Sequence, residues 1–441
     1  MKTHLCICTV LCLISMLASG QTVQQVSAVY PDAYALYIDL HANPELGFHE
    51  QRTGGVLAAK MKALGYEVTT GVGGTGVVAI MKNGAGPTVM MRTELDALPV
   101  QEKTGLPYAS KVRTQNAAGE TIPVMHACGH DLHMASWFAT ARLMAENKDK
   151  WQGTLMFVGQ PAEELVSGAA AMLKDGLFTR FAKPDYALSL HDEAALPAGT
   201  VGYHPGYFRA SADSVDVTIF GQGGHGAAPH DSRDPVVMAA RFVLAVQTLV
   251  SRENNPMDPA VITVASIHGG TGYNIIPDQV KLQLTVRAFS PQARAKLLKG
   301  IEREAKGIAV AANAPKEPEV KLAAGTDAVY NDPALTNHMA DVLRAALGPD
   351  KVVEMPAKMT SEDFSQYGLA GAHAVLLHVG AVDPVKLAMA KQSGTILPGP
   401  HSPQWAPDVE PTMKSFIAAE TALLMDLFNT KPSPGTTPSD K

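Results

Sequence analysis

At 441 residues the chain is two to three times the length of a typical single domain, so its sequence favours two domains over one core. Its 46% hydrophobic and 18% charged residues describe a soluble globular protein and exclude a disordered or fibrous one. A formal net charge of -6 argues against a nucleic-acid partner.

Met1-Lys2-Thr3-His4 is a short, weakly basic start, and residues 5–17 form an apolar run too short to span a bilayer comfortably. Ala18-Ser19-Gly20 then supplies the small-x-small pattern of a cleavage site, so residues 1–20 read as a secretory signal. The expectation is an exported protein, periplasmic in a Gram-negative source, with no stable membrane association after cleavage; the alternative is a retained short anchor. Of the four cysteines, Cys6, Cys8 and Cys12 fall inside the signal. Cleavage leaves Cys128 alone, which rules out an intramolecular disulfide in the mature chain.

From 29 to 206 short apolar runs alternate with longer amphipathic ones, the pattern of a mostly parallel sheet with helices on both faces. Residues 88–92, 154–158 and 186–190 read as buried strands, and 33–39, 53–64 and 132–146 as helices. The glycine-rich stretch 71–76 lacks a following lysine and opens no helix, so it reads as a turn. Between 207 and 322 the rhythm changes: strand 214–220, helix 235–250, strands 260–267 and 279–288, helix 292–311 and strand 319–323. That β-α-β-β-α-β order is ferredoxin-like and marks a small α+β domain inserted into the larger one, which resumes over 323–429. The tail 430–441, rich in proline and poor in apolar residues, is expected to be disordered.

The chemistry gathers at strand ends. His126-Ala127-Cys128-Gly129-His130-Asp131-Leu132-His133 offers a thiol and imidazoles, good ligands for a borderline-soft divalent cation, with Asp131 placed to orient a ring nitrogen. The same residues are compatible with buried structural roles at a helix start. A Cys-His nucleophilic dyad is disfavoured, because residues so close along the chain rarely face one another. Gln160-Pro161-Ala162-Glu163-Glu164 puts two carboxylates beyond a buried strand, where ligands of open α/β sheets collect. Neighbouring positions point apart, so one carboxylate can bind metal while the other shuttles a proton. His191 follows the run 186–190, Asp96 lies beside the same crevice, and Gly399-Pro400-His401-Ser402-Pro403 holds a histidine in a proline-bounded loop. Together Cys128, His130, Glu164, His191 and His401 suffice for a two-cation site.

Read jointly, these segments resemble the dinuclear-metal aminoacylases and carboxypeptidases, in the branch of hippurate hydrolases, N-acyl-amino-acid deacylases and auxin-conjugate hydrolases. The matching stretches are His41 to Phe48, Arg92 to Pro99, His126 to His133, Pro161 to Glu164, Gly221 to His230, Gly269 to Asp278, Ser361 to Phe364 and His401 to Pro403. They run in the family's order over nearly the whole mature chain, and Cys128 within Cys128-Gly129-His130 is the branch mark. The resemblance implies a catalytic domain split by an inserted dimerisation or lid domain, and a homodimer or homotetramer. It implies two divalent cations (Mn, Zn, Co or Ni) on the five residues above, with Glu163 as general base. His225 would reach the oxyanion, while Asn274 and Arg287 would hold the substrate's carboxylate or amide.

The chain departs from the usual pattern at Glu94, commonly aspartate, at Ala288, often threonine, at Gln404-Trp405, where phenylalanine is usual, and at the acids Asp192-Glu193. The reading is hydrolysis of an N-acyl amino acid in which Glu163, His225 and Asp96 act catalytically. A dipeptidase, aminopeptidase or carboxypeptidase of the same fold, or a non-catalytic binding homologue, are the alternatives.

Overall fold

The computed structural model describes residues 3–116 and 118–429, with the backbone alone for 3–22. The expected signal segment, with its three cysteines, and the expected disordered tail lie outside the described side chains. The chain divides into two compact units.

The first comprises Met1–Gly206, Asn331–Pro356 and Gln366–Lys441. Its frame is an eight-stranded mixed sheet. Thr88–Glu94 lies between Gly153–Gln160 and Tyr186–Pro197, parallel to both, and Tyr186–Pro197 is in turn parallel to His373–Val382. The antiparallel hairpin of Glu67–Val72 and Gly76–Asn83, closed by the expected glycine-rich turn, extends one edge. Val201–Tyr203 and Val352–Glu354 extend the other. Residues 89–94 and 155–160 are buried on both faces, so both sides of the sheet are covered. The helices His130–Glu146 and Val409–Asn429 share one apolar core with the sheet, in which Leu132, Trp137, Phe157, Leu188, Phe416 and Leu424 are buried. The helix expected over 33–39 is the last part of a longer one, Thr3–Ala42.

The second unit comprises Tyr207–Tyr330 and Ala357–Ser365. Its four-stranded antiparallel sheet has the order Ala260–His268, Gln279–Ala288, Ala212–Phe220, Glu319–Thr326, and the helices Pro235–Thr248 and Pro291–Ala311 pack with it around one apolar core. Along Gln279–Ala288 the even-numbered residues are buried, the period of a sheet covered on one face. The unit runs past the expected end at 322 because Glu319–Thr326 keeps pairing with Ala212–Phe220 as far as Thr326, and Arg294 binds both Asp213 and Asp327.

Four helix starts among the described residues share one device. Asp234, Ser290, Asp332 and Asp383 each accept a first-turn backbone N–H, and each is followed by proline at the first helical position. Such a cap contributes about 1 kcal/mol, and the proline ring presets the backbone without removing a needed donor.

Candidate active site

The site lies in the first unit, at the carboxyl ends of its parallel strands. There Thr88–Glu94 pairs with Tyr186–Pro197 only as far as Ser189, whereas Tyr186–Pro197 continues beside His373–Val382 through His191. The parting strands leave a crevice. His191 therefore sits within a strand and not beyond its end, as its sequence position suggested.

Gly129 makes the Cys128–His130 turn. Its φ of 78° is left-handed, and a Cβ there would lie 2.5 Å from Asp192 Oδ2, so no side chain fits. Helix His130–Glu146 starts immediately after it. The turn carrying Glu163 and Glu164 is held from two sides. Asp96 accepts the N–H groups of Glu163 (3.1 Å) and Glu164 (2.9 Å), and Glu50 accepts that of Ala162 (2.8 Å). Ala162 and Val166 have positive φ, at 50° and 47°, and so does His401, at 70°. A β-branched residue in that region costs on the order of 1–2 kcal/mol, so backbone strain is concentrated on the segments that bear these three side chains. The His401 N–H donates to the Ala127 carbonyl at 2.6 Å, tying its loop to the Cys128 turn.

These restraints leave one set of atoms facing inward. His130 Nδ1 donates to the Asp96 carbonyl (2.8 Å) and His191 Nδ1 to the Asp192 carbonyl (2.8 Å), which frees both Nε2 atoms. His191 Nε2 lies 3.5 Å from Cys128 Sγ, and His401 Nε2 lies 3.3 Å from Glu164 Oε2. The sets Cys128–His130–His191, Cys128–Glu164–His401 and His130–Glu163–Glu164 each bring their donor atoms within 4.8 Å of one another. His130 Nε2 and Glu164 Oε1 are buried without a hydrogen-bond partner, a costly arrangement for a closed protein core and the one a cation would satisfy. Thiol, imidazole and carboxylate donors suit a borderline divalent metal, so the residues fit the group that the sequence implied. The His401 side chain is 58% exposed, whereas Cys128, His130 and His191 are buried, so the site opens toward His401.

The electrostatics favour positive charge here. Burial opposes a charge on His130, but the hydrogen bond to Asp96 and the fields of Glu94, Asp96 and Glu164 outweigh it and lift its pKa to about 10. Burial pushes the Cys128 thiol well up, and Glu164 and Asp192 push it further, so a thiolate here needs a cation beside it. For Glu164, burial is outweighed by His401 and His130, and its pKa is lowered.

Two expectations change. Asp96, expected to act catalytically, directs both carboxylate oxygens to the backbone N–H groups of Glu163 and Glu164 and so positions their turn. Asp131 orients no ligand; from the helix's first turn its Oδ2 accepts from His41 Nδ1 at 2.6 Å. The surroundings of the ligands also include residues given no role. Arg92, fully buried, pairs with Glu94, and Glu94 Oε2 accepts from His133 Nδ1 at 3.0 Å. The Asp192 N–H donates to His133 Nε2 at 2.9 Å. The signal for His133 was its place one helical turn after His130, and for Asp192 its place next to His191.

The remaining three expected residues belong to the second unit. His225 and Asn274 come together there, since Gly224–His225 pairs with Ile275–Ile276 and the Gly226 N–H donates to the Asn274 carbonyl at 2.8 Å. Arg287, in Gln279–Ala288, donates from its guanidinium to the Met359 carbonyl at 3.0 Å, and burial lowers its pKa.

An α/β sheet whose carboxyl ends gather buried carboxylate, imidazole and thiol donors defines a candidate metal centre. Residues 90–392 match the sequence profile of peptidase family M20/M25/M40. The hippurate hydrolase of Campylobacter jejuni is 36% identical over 333 residues, 74% of this chain and 82% of that protein. The Arabidopsis thaliana IAA-amino acid hydrolase ILR1-like 2 is 34% identical over 330 residues, 74% of this chain and 72% of that protein. Among solved structures, the Bacillus subtilis YXEP protein, a dinuclear metal binding peptidase from the M20 family, superposes with a TM-score of 0.73 at 28% identity, covering 91% of this chain and 99% of that one. The chain belongs to peptidase family M20/M25/M40 and is a metal-dependent hydrolase of amide bonds.

Proposed function

We propose that the protein hydrolyses the amide bond of a small N-acylated amino acid, releasing a carboxylic acid and a free amino acid. What carries the reading is the convergence of Cys128, His130, Glu164, His191 and His401 on one site with Glu163 beside them, its Oε2 4.0 Å from His130 Nε2. It is supported by the similarity to a hippurate hydrolase and an IAA-amino acid hydrolase.

The five residues would hold two divalent cations, which supply the charge to acidify a water and polarise the scissile carbonyl. Glu163 takes one proton from the attacking water, whose oxygen bonds to the carbonyl carbon. When the C–N bond breaks, Glu163 returns that proton to the leaving amine. In this reading His225 donates to the oxyanion, and Asn274 and Arg287 hold the amide or carboxylate of the amino-acid part. Asp96 fixes the turn from which Glu163 works.

The test is a metal-reconstituted screen. Chelated protein is reloaded with Mn, Zn, Co or Ni and offered N-acetyl, N-benzoyl and longer N-acyl amino acids beside dipeptides. Preference for acylated substrates supports the reading, and preference for a free substrate amine makes the enzyme a dipeptidase.

The proposal extends to assembly and export. Among the described residues strand Ala260–His268 has a strand partner on one side only, and it carries exposed Val261 and Ile267, while helix Pro235–Thr248 exposes Val236, Val237 and Leu244. This surface would pair two copies in a homodimer or within a homotetramer, which sedimentation tests. Export with cleavage after residue 20 is checked by N-terminal sequencing of the mature protein.

A further inference from the structure

Asp192 touches three of the segments that carry ligands. Its carboxylate packs against Gly129, between Cys128 and His130, closely enough that Oδ2 would lie 2.5 Å from any Cβ there. Its Oδ1 lies 3.0 Å from His191 Nδ1 and 3.3 Å from His133 Nε2. The remaining contact is from Trp405, whose indole Nε1–H donates to Oδ2 at 3.0 Å. Trp405 is buried and follows the His401 loop directly, and its own N–H donates to the Ser402 carbonyl at 3.0 Å. Both residues stand where this sequence departs from the resembled family's usual pattern, and phenylalanine, usual at 405, has no side-chain N–H to give.

We propose that Asp192 and Trp405 are positioning residues forming a clamp, which couples the exposed His401 ligand to the buried Cys128, His130 and His191 so that the two cations bind cooperatively. The inference rests on the two-cation reading above. Without the indole hydrogen bond, the His401 loop keeps its tie to Ala127 but loses its link to the His191 side. Asp192 also loses the neutral donor that satisfies Oδ2 in a buried setting. Losing an outer contact of this kind typically weakens metal binding 10- to 100-fold.

The test is calorimetric titration of the chelated full-length protein with Mn2+, for the wild type, W405F, D192N, the double variant and W151F. Trp151 is the control, because it is equally buried and donates a comparable hydrogen bond, to the Met144 carbonyl at 2.9 Å. The expected result is a wild type that binds two ions cooperatively, and a W405F that binds them in two separate steps with the weaker at least tenfold looser. D192N loosens binding as well, the double variant loses no more than D192N alone, and W151F titrates as the wild type does. Unchanged binding by W405F, an equal loss in W151F, or losses that add in the double variant would overturn the clamp. If D192N does not fold, W405F against W151F decides alone. A wild type that binds no Mn2+, Zn2+ or Co2+ overturns the two-cation reading and this inference with it, whereas a wild type that binds two ions beside an unaffected W405F overturns only the clamp.

Discussion

Asp96 accepts the backbone N–H of Glu164 at 2.9 Å, and its other carboxylate oxygen accepts that of Glu163 at 3.1 Å. One buried acid thus aims both neighbouring carboxylates, in a turn that its own backbone strain would otherwise release. Asparagine keeps the shape but offers only one accepting oxygen. Asp96→Asn should therefore lower kcat about 10- to 100-fold and weaken metal binding by a similar factor, with the fold intact. Metal content and kcat measured on the same preparation check this; full activity in D96N would show that the turn holds without it.

Glu163 has the opposite signature. Its role is to move a proton, so Glu163→Gln should cut kcat by about 10^2 to 10^4 while the metal content stays near that of the wild type. Elemental analysis beside steady-state kinetics separates this outcome from a ligand loss, in which both quantities fall together. Substantial activity in E163Q would remove Glu163 from the role of base.

Cys128 offers a direct chemical probe, being the only free cysteine among the described residues whose side chains are placed. Its thiol is buried and its pKa is raised by that burial and by Glu164 and Asp192, so a bound cation is what would hold it as thiolate. The metal-loaded protein should resist a small thiol reagent, and chelation should speed labelling at least several-fold. Equal labelling rates before and after chelation would show that the sulfur is not a ligand.

Glu164 and His191 were legible as candidates because each lies at or near the end of an apolar run, where buried parallel strands converge, whereas Cys128 and His130 at a helix start and His401 in a proline-bounded loop stood out by residue type and close spacing. Cys128, His130, Glu164, His191 and His401 needed no knowledge of long-range contacts to be suspected. The outer contacts were not legible in that way. His41 and Asp131 are 90 residues apart, Trp405 and Asp192 are 213 apart, and only the packed fold brings them together. Asp96 was legible as a residue of the site but its contact with the Glu163–Glu164 backbone was not, since a sequence does not tell whether a carboxylate faces the crevice or the backbone behind it. Asp234-Pro235, Ser290-Pro291, Asp332-Pro333 and Asp383-Pro384 are local signals whose helices start at the proline, although the same dipeptides at 258–259 and 402–403 open none.

Two further buried groups, His41 and Glu420, contribute to the response to pH. His41 donates to Asp131 at 2.6 Å and to Glu102 at 3.1 Å, and these bonds outweigh burial and raise its pKa from 6.5 to about 10. A histidine raised in the folded state contributes stability that is complete below its unfolded value of 6.5 and is lost as pH rises toward 10. Glu420, on helix Val409–Asn429, accepts from the Thr140 hydroxyl at 2.6 Å, and burial raises its pKa from 4.5 to about 8 despite that bond. The folded state therefore holds a proton that the unfolded state releases, so this contribution too is complete below 4.5 and is lost as pH rises through 8. Both effects have the same sign, and each lowers stability by up to about 1.4 kcal/mol per pH unit across its window. Glu420→Gln imitates the protonated acid and keeps an oxygen for Thr140. It should come close to the wild type in urea denaturation at pH 5 and exceed it at pH 9 by roughly 4 kcal/mol, the slope summed over the three units from pH 5 to 8. A wild type and E420Q that lose stability in parallel between pH 5 and 9 would show that Glu420 is ionised in the native protein throughout.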